Sequence, residues 1–134
     1  MRKHIVNLAM KLQGVPYIWG GSDPRVGFDC SGFVIWVLQV FDLLPSGDWT
    51  AAGLAKSFPK TESPQGGDLA FYGPAEGRES HVMMHLSPEL VVGASGGGHT
   101  TTTEAEANRL GAKVKVKPVG YRSDYLFSVS VVQD

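Results

Sequence analysis

Cysteine is nearly missing from this chain: Cys30 is the only one in 134 residues. That excludes an intramolecular disulfide, and with it a disulfide-stapled secreted miniprotein. No apolar run approaches membrane-spanning length, so membrane insertion is not expected. The start, Met1-Arg2-Lys3-His4, lacks the continuous apolar stretch of a signal peptide, because Asn7, Lys11 and Gln13 interrupt it. The expectation is a protein without its own export signal, cytoplasmic unless another route delivers it. Charge of one sign is not in excess either. Twelve Lys and Arg against thirteen Asp and Glu give a formal net charge of −1, which excludes whole-chain affinity for nucleic acid. The glycines at 96–98 have no Lys-Ser/Thr ending, so they are not a phosphate-binding loop. Cys30, His81, His85 and His99 lack the close ligand pairs of a zinc site. No metal or other cofactor is expected.

What the chain does have suits one domain over residues 1–134. Its hydrophobic content is 43% and its charged content 19%, ordinary for a globular protein. Ile5, Leu8, Ala9 and Leu12 mark an amphipathic helix over 3–13, ended by Gly14 and Pro16. Residues 14–29 form an irregular loop. From Cys30, the residues Phe33, Trp36, Val37, Val40 and Phe41 repeat at helical spacing, with Val34 and Leu38 widening an apolar surface that belongs at the centre of the domain. Thr50 caps a short helix over 51–57. Beyond Gly67 the period changes: 68–72, 81–86, 90–94, 114–117 and 126–132 read as strands. Thr103 with Glu106 forms a capping box, and Gly111 closes that short helix. Helices first and a mostly antiparallel sheet afterwards give an α+β domain.

Cys30 stands where loop becomes helix, a position at which unpaired backbone N–H groups and the helix dipole favour a thiolate. A buried, inert cysteine is the competing reading. His81 offers the imidazole that a thiol nucleophile needs. In the strand His81–Leu86, alternation turns Val82, Met84 and Leu86 to the core and His81, Met83 and His85 away from it. His85 lies about 13 Å along the strand from His81, so it lines a cleft or is exposed. Lys113, Lys115 and Lys117 form either a solvated strand face or a basic flank that attracts an anionic polymer.

Gly14-Val15-Pro16-Tyr17-Ile18-Trp19-Gly20-Gly21 and Phe28-Asp29-Cys30-Ser31-Gly32-Phe33-Val34 resemble the nucleophile region of the NlpC-type cell-wall peptidases. Gly67-Asp68-Leu69-Ala70-Phe71 and the strand from His81 to Leu86 match the family in kind and order. The segment from Val91 to Ser95 and on through Lys113–Tyr121 looks more like phage-associated members. The resemblance implies a papain-like fold and hydrolysis of peptidoglycan stem peptides, typically between γ-D-glutamyl and a diamino acid. It makes Cys30 the nucleophile and His81 the general base and acid. The Cys30 N–H and Tyr17 hydroxyl would hold the oxyanion, and Asp29, Ser31 and Trp19 would bind substrate. Partners would be stem peptides and, for a phage-associated member, phage tail proteins, with the chain particle-associated or delivered to the wall.

One departure stands out. The third polar residue that orients the imidazole in such proteins falls here on Gly93, which has no side chain. His99, a backbone carbonyl or a water would have to serve instead, and His99 is the candidate. The same glycine supports a non-catalytic alternative, a wall-binding or phage-tail module of the same fold. A lipid-directed thiol acyltransferase would need an apolar, membrane-facing surface that no segment supplies.

Overall fold

The computed structural model describes residues 1–133. In chain order the elements are α1 (Arg2–Lys11), β1 (Ser22–Asp23), β2 (Gly27–Phe28), α2 (Cys30–Val40), α3 (Ala51–Ser57), β3 (Lys60–Thr61), β4 (Leu69–Tyr72), β5 (His81–His85), β6 (Leu90–Ser95), α4 (Glu104–Leu110), β7 (Lys113–Pro118) and β8 (Tyr125–Val129). A single 3-10 turn, Val119–Tyr121, follows β7. The larger sheet has the order β3-β8-β4-β5-β6-β7, and every neighbouring pair is antiparallel. This is the α+β architecture anticipated. The short β1–β2 hairpin and β3 are additions that two-residue strands give no periodicity to reveal.

α2 is buried along Gly32, Phe33, Val34, Ile35, Val37 and Leu38, and it packs on β5 and β6. Its start is fixed by Asp29, the N-cap. One carboxylate oxygen accepts the Gly32 N–H at 2.7 Å and the other accepts the Gly20 N–H at 3.1 Å. The loop before it is held against the sheet: Gly14 and Tyr17 donate backbone N–H groups to Val114 and Ala112, at 2.9 and 3.1 Å. Thr50 and Thr103 cap α3 and α4 as their sequences imply, and Gly111 closes α4 in the left-handed region at φ 67°.

The face of the sheet turned away from α2 is not open. β7 is an edge strand and β8 pairs with β4, so the connection 119–124 must cross β6, β5 and β4. Val119 and Tyr121 from this crossing roof a second apolar cluster of Ala70, Tyr72, Met83 and Val91. Met83 therefore faces away from α2 as alternation requires, yet is fully buried. His85 corrects the expectation of a cleft-lining or exposed ring. It is 0% exposed, its Nδ1 donates to the Ser87 carbonyl at 2.9 Å, and its Nε2 accepts from the Ser128 hydroxyl at 2.7 Å. Both nitrogens are satisfied and the residue is structural. Lys113, Lys115 and Lys117 lie on the edge strand, where lysines disfavour pairing with another sheet.

α1 is tied to the sheet by charge. Arg2 donates to the Asp68 carboxylate at 2.8 Å and to the Gly66 and Val132 carbonyls, while Asp68 also accepts from the backbone of Gln65 and Val131. Asp68 is buried, so removing it leaves the Gln65 and Val131 N–H groups without their acceptor and takes one carboxylate contact from Arg2. Asp68→Ala is expected to lower stability by about 3 kcal/mol, read as a drop in the urea midpoint with an unchanged slope. A loss below about 1 kcal/mol would mean that α1 is anchored elsewhere.

Candidate active site

The first turn of α2, the loop before it, β5, the segment after β6 and the 119–124 crossing enclose a cleft of about 550 Å³. Cys30 and His81 both line it, together with Tyr17, Trp19, Asp29, Ser31 and His99. These are all the site residues anticipated from sequence. Glu79, Ser95 and Arg122 line it as well.

The thiol of Cys30 is half-buried at the start of α2. Burial pushes its pKa up, while backbone N–H groups of Val82 and Ser31 and the Arg122 charge pull the other way, and Asp29 adds to the rise. This departs from the expectation that the helix start alone would favour a thiolate. Desolvation of the charged form outweighs it. His81 is 7% exposed, and its imidazole is pulled down to about 4, first by burial and then by the nearby Arg122 cation, with Asp124 opposing. Both shifts favour neutral forms. Burial thus biases the pair towards thiol and imidazole and away from an ion pair.

The remaining residues divide by what holds them. Tyr17 is buried, and its hydroxyl pKa is pushed up to about 12 by burial and then by Cys30 and Asp29, so it is a neutral donor. Its ring lies against Gly97, where a Cβ would come within 2.7 Å of the ring Cγ. The glycine-rich loop is thus a close-approach surface for Tyr17. Asp29 has a structural task as the α2 cap, and the Ser31 hydroxyl donates to it at 3.3 Å. Trp19 is 54% exposed at the rim, its ring meeting His99 edge-on at 6.2 Å.

The structure thus places His99 against Trp19, and a different side chain meets His81 Nε2. The His81 Nε2 is 2.8 Å from the Tyr121 hydroxyl, which in turn lies 3.3 Å from the Ser95 hydroxyl. Tyr121 was not legible as a site residue. It is 40 positions downstream of His81, and only the strand order brings it back across the sheet. Arg122 follows it into the cleft, paired with Asp124 at 2.7 and 2.9 Å. Glu79 brings a buried carboxylate. One oxygen accepts the Gly77 N–H at 2.7 Å and the other has no partner. Among the described residues, no three His, Cys, Asp or Glu side chains converge as a metal-binding group.

The depressed His81 pKa has a definite sign. The unfolded ring titrates near 6.5 and the folded one lower, so this contribution to stability is complete above about pH 6.5 and is lost as pH falls towards 4. In an NMR titration the His81 ring is expected to show a midpoint near 4. Arg122→Gln, which removes the cation that helps hold it down, is expected to move that midpoint upward. A wild-type midpoint at or above 6.5 would contradict this electrostatic account.

Comparison with known proteins agrees with the architecture. Residues 14–119 match the model of the NlpC/P60 family. The chain is 38% identical over 85 residues to the bifunctional muramidase/DL-endopeptidase CwlT of Bacillus subtilis, covering 61% of this chain and 26% of that protein. It is 36% identical over 115 residues to the peptidoglycan endopeptidase RipB of Mycobacterium tuberculosis, covering 75% of this chain and 46% of that one. It therefore spans less than half the length of either curated relative. Among solved structures, the NlpC/p60 domain of the peptidoglycan hydrolase SagA superposes with a TM-score of 0.76 at 32% identity, covering 97% of this chain and 98% of that domain. RipB itself superposes with a TM-score of 0.72 at 24% identity, covering 99% of this chain and 67% of that one. A papain-like α+β fold, a family model that spans most of the sequence and relatives above 30% identity lead to one conclusion: this chain belongs to the NlpC/P60 family.

Proposed function

We propose that this protein is a peptidoglycan endopeptidase that hydrolyses stem-peptide amide bonds, of the γ-D-glutamyl–diamino acid type, with Cys30 as nucleophile and His81 as base. The observation that carries the reading is that the α2 thiol and the β5 imidazole line one open cleft of peptide-accommodating size. The names of the relatives point to the same substrate class.

The reaction starts from the neutral pair. His81 takes the thiol proton as Cys30 sulfur attacks the amide carbonyl. The developing oxyanion is held by the Cys30 backbone N–H, which as the first helical residue has no carbonyl partner within α2, and by the Tyr17 hydroxyl. His81 then gives its proton to the leaving amine and a thioester remains. Water, deprotonated by the same imidazole, hydrolyses it. Arg122 and Glu79 line the cleft with a basic and an acidic side chain, which suits a stem peptide bearing carboxylates and an ammonium. Asp29 keeps acceptor capacity beyond its two backbone donors, so with Ser31 it can also meet an amine, and Trp19 offers an exposed platform.

The non-catalytic alternative drew on Gly93 leaving His81 without a partner, and Tyr121 at 2.8 Å removes that ground. The names of the relatives point to peptidoglycan, and the phage-associated reading draws no support from them. The test is mass spectrometry of fragments released from defined muropeptides. Cys30→Ser and His81→Ala are each expected to lower release by a factor on the order of a thousand or more, with the fold intact. Full activity in either variant would end the proposal.

A further inference from the structure

We infer that Tyr121 is the positioning residue for His81, supplied by the β7–β8 crossing in place of a side chain at Gly93. The inference rests on the peptidase reading above, and names a residue that the sequence pattern does not assign.

Gly93 pairs opposite Met83 on the face of the sheet that carries His81. A Cβ there would come within 2.7 Å of the Met83 sulfur, so methionine already occupies the space that a polar side chain would use. The imidazole is held from the crossing instead. Pro118 ends β7, and the Val119 N–H is held by the Glu89 carbonyl at 2.8 Å. The Val119 carbonyl accepts from the Tyr72 hydroxyl at 2.6 Å. The single turn is thereby pinned at both its N–H and its carbonyl, and Tyr121 is delivered over the sheet. His81, Tyr72 and Tyr121 form a triad of mutually touching rings, with centroids 5.5 Å apart for His81–Tyr72, 6.4 Å for His81–Tyr121 and 5.7 Å for Tyr72–Tyr121.

The direction of the hydrogen bonds decides what this does. The Tyr121 hydroxyl has one proton, and the Ser95 oxygen at 3.3 Å can accept it. The Tyr121 oxygen is then the acceptor and His81 Nε2–H the donor. That tautomer leaves the lone pair on Nδ1, the other ring nitrogen, free to take the Cys30 proton. The same bond persists when the ring becomes imidazolium, because Nε2 is protonated in both states. A neutral phenol fixes tautomer and ring orientation without adding negative charge. That fits an imidazole held neutral in the resting enzyme.

Tyr121→Phe keeps the ring and its packing and removes only the hydroxyl. The expected result on a defined muropeptide is a kcat lower by on the order of tenfold to a hundredfold, less than the loss when a charged third group is removed. KM and melting temperature should stay near wild type. Nitrogen-15 NMR of the wild-type protein is a second readout that needs no activity: His81 should be the Nε2–H tautomer, and Tyr121→Phe should show a mixture. A Phe variant with kcat within threefold of wild type, a loss residing entirely in KM, or a wild-type Nδ1–H tautomer would overturn the inference. If wild type cleaves no muropeptide, the peptidase reading fails, while the tautomer measurement still decides the role of Tyr121.

Discussion

The carbonyl oxygen of Gly21 lies where a Cβ on residue 32 would have to be, and the Asp29 carboxylate closes the same corner 2.9 Å away. Only glycine at position 32 lets the first turn of α2 press onto the backbone of the preceding loop. That contact is backed by the Asp29 N–H donating to the Gly21 carbonyl and by the two N–H groups that Asp29 accepts. The consequence reaches through the whole site. Loop, cap and helix start become one rigid piece, so Cys30, Ser31 and Tyr17 are set relative to one another before any substrate arrives. A loop free to move would leave the sulfur without a fixed line of approach to the imidazole on β5.

The opposite wall is set by topology. Because β8 pairs with β4 and not with β7, the chain must cross three strands, and the crossing carries Tyr121 and Arg122 to the imidazole. Their effects differ in kind. The hydroxyl of Tyr121 bonds the ring, while the guanidinium of Arg122 only biases it towards the neutral form. Burial acts the same way on both reacting groups, raising the thiol and lowering the imidazole. Burial thus favours little charge at rest, and in the proposed reaction charge would develop where the N–H groups at the α2 start and the Tyr17 hydroxyl can meet it.

Much of this was legible in the sequence where the signal is local. The apolar spacing after Cys30, the Thr50 and Thr103 caps and the alternation in β5 each depend on neighbours a few residues away. What was not legible depends on pairing over distance. His85 looked like a cleft residue because alternation gives the face but not what covers it, and Ser128 from β8 is 43 positions away. His99 looked like the third residue because the glycine-rich loop is close in sequence to β6, whereas Tyr121 arrives from beyond β7. The thiol shift was misjudged for a similar reason. A helix start is visible in a sequence, but the depth to which the fold buries it is not.

The central claim is that the Cys30 sulfur attacks a stem-peptide carbonyl. Its most direct test is an affinity label, a γ-D-glutamyl stem peptide whose scissile amide is replaced by a chloromethyl ketone. The Cys30 sulfur would displace chloride to form a thioether. Intact-mass analysis with peptide mapping should show one adduct, on Cys30, accumulating in step with the loss of muropeptide hydrolysis. Hydrolysis that continues undiminished with Cys30 fully alkylated would contradict the account.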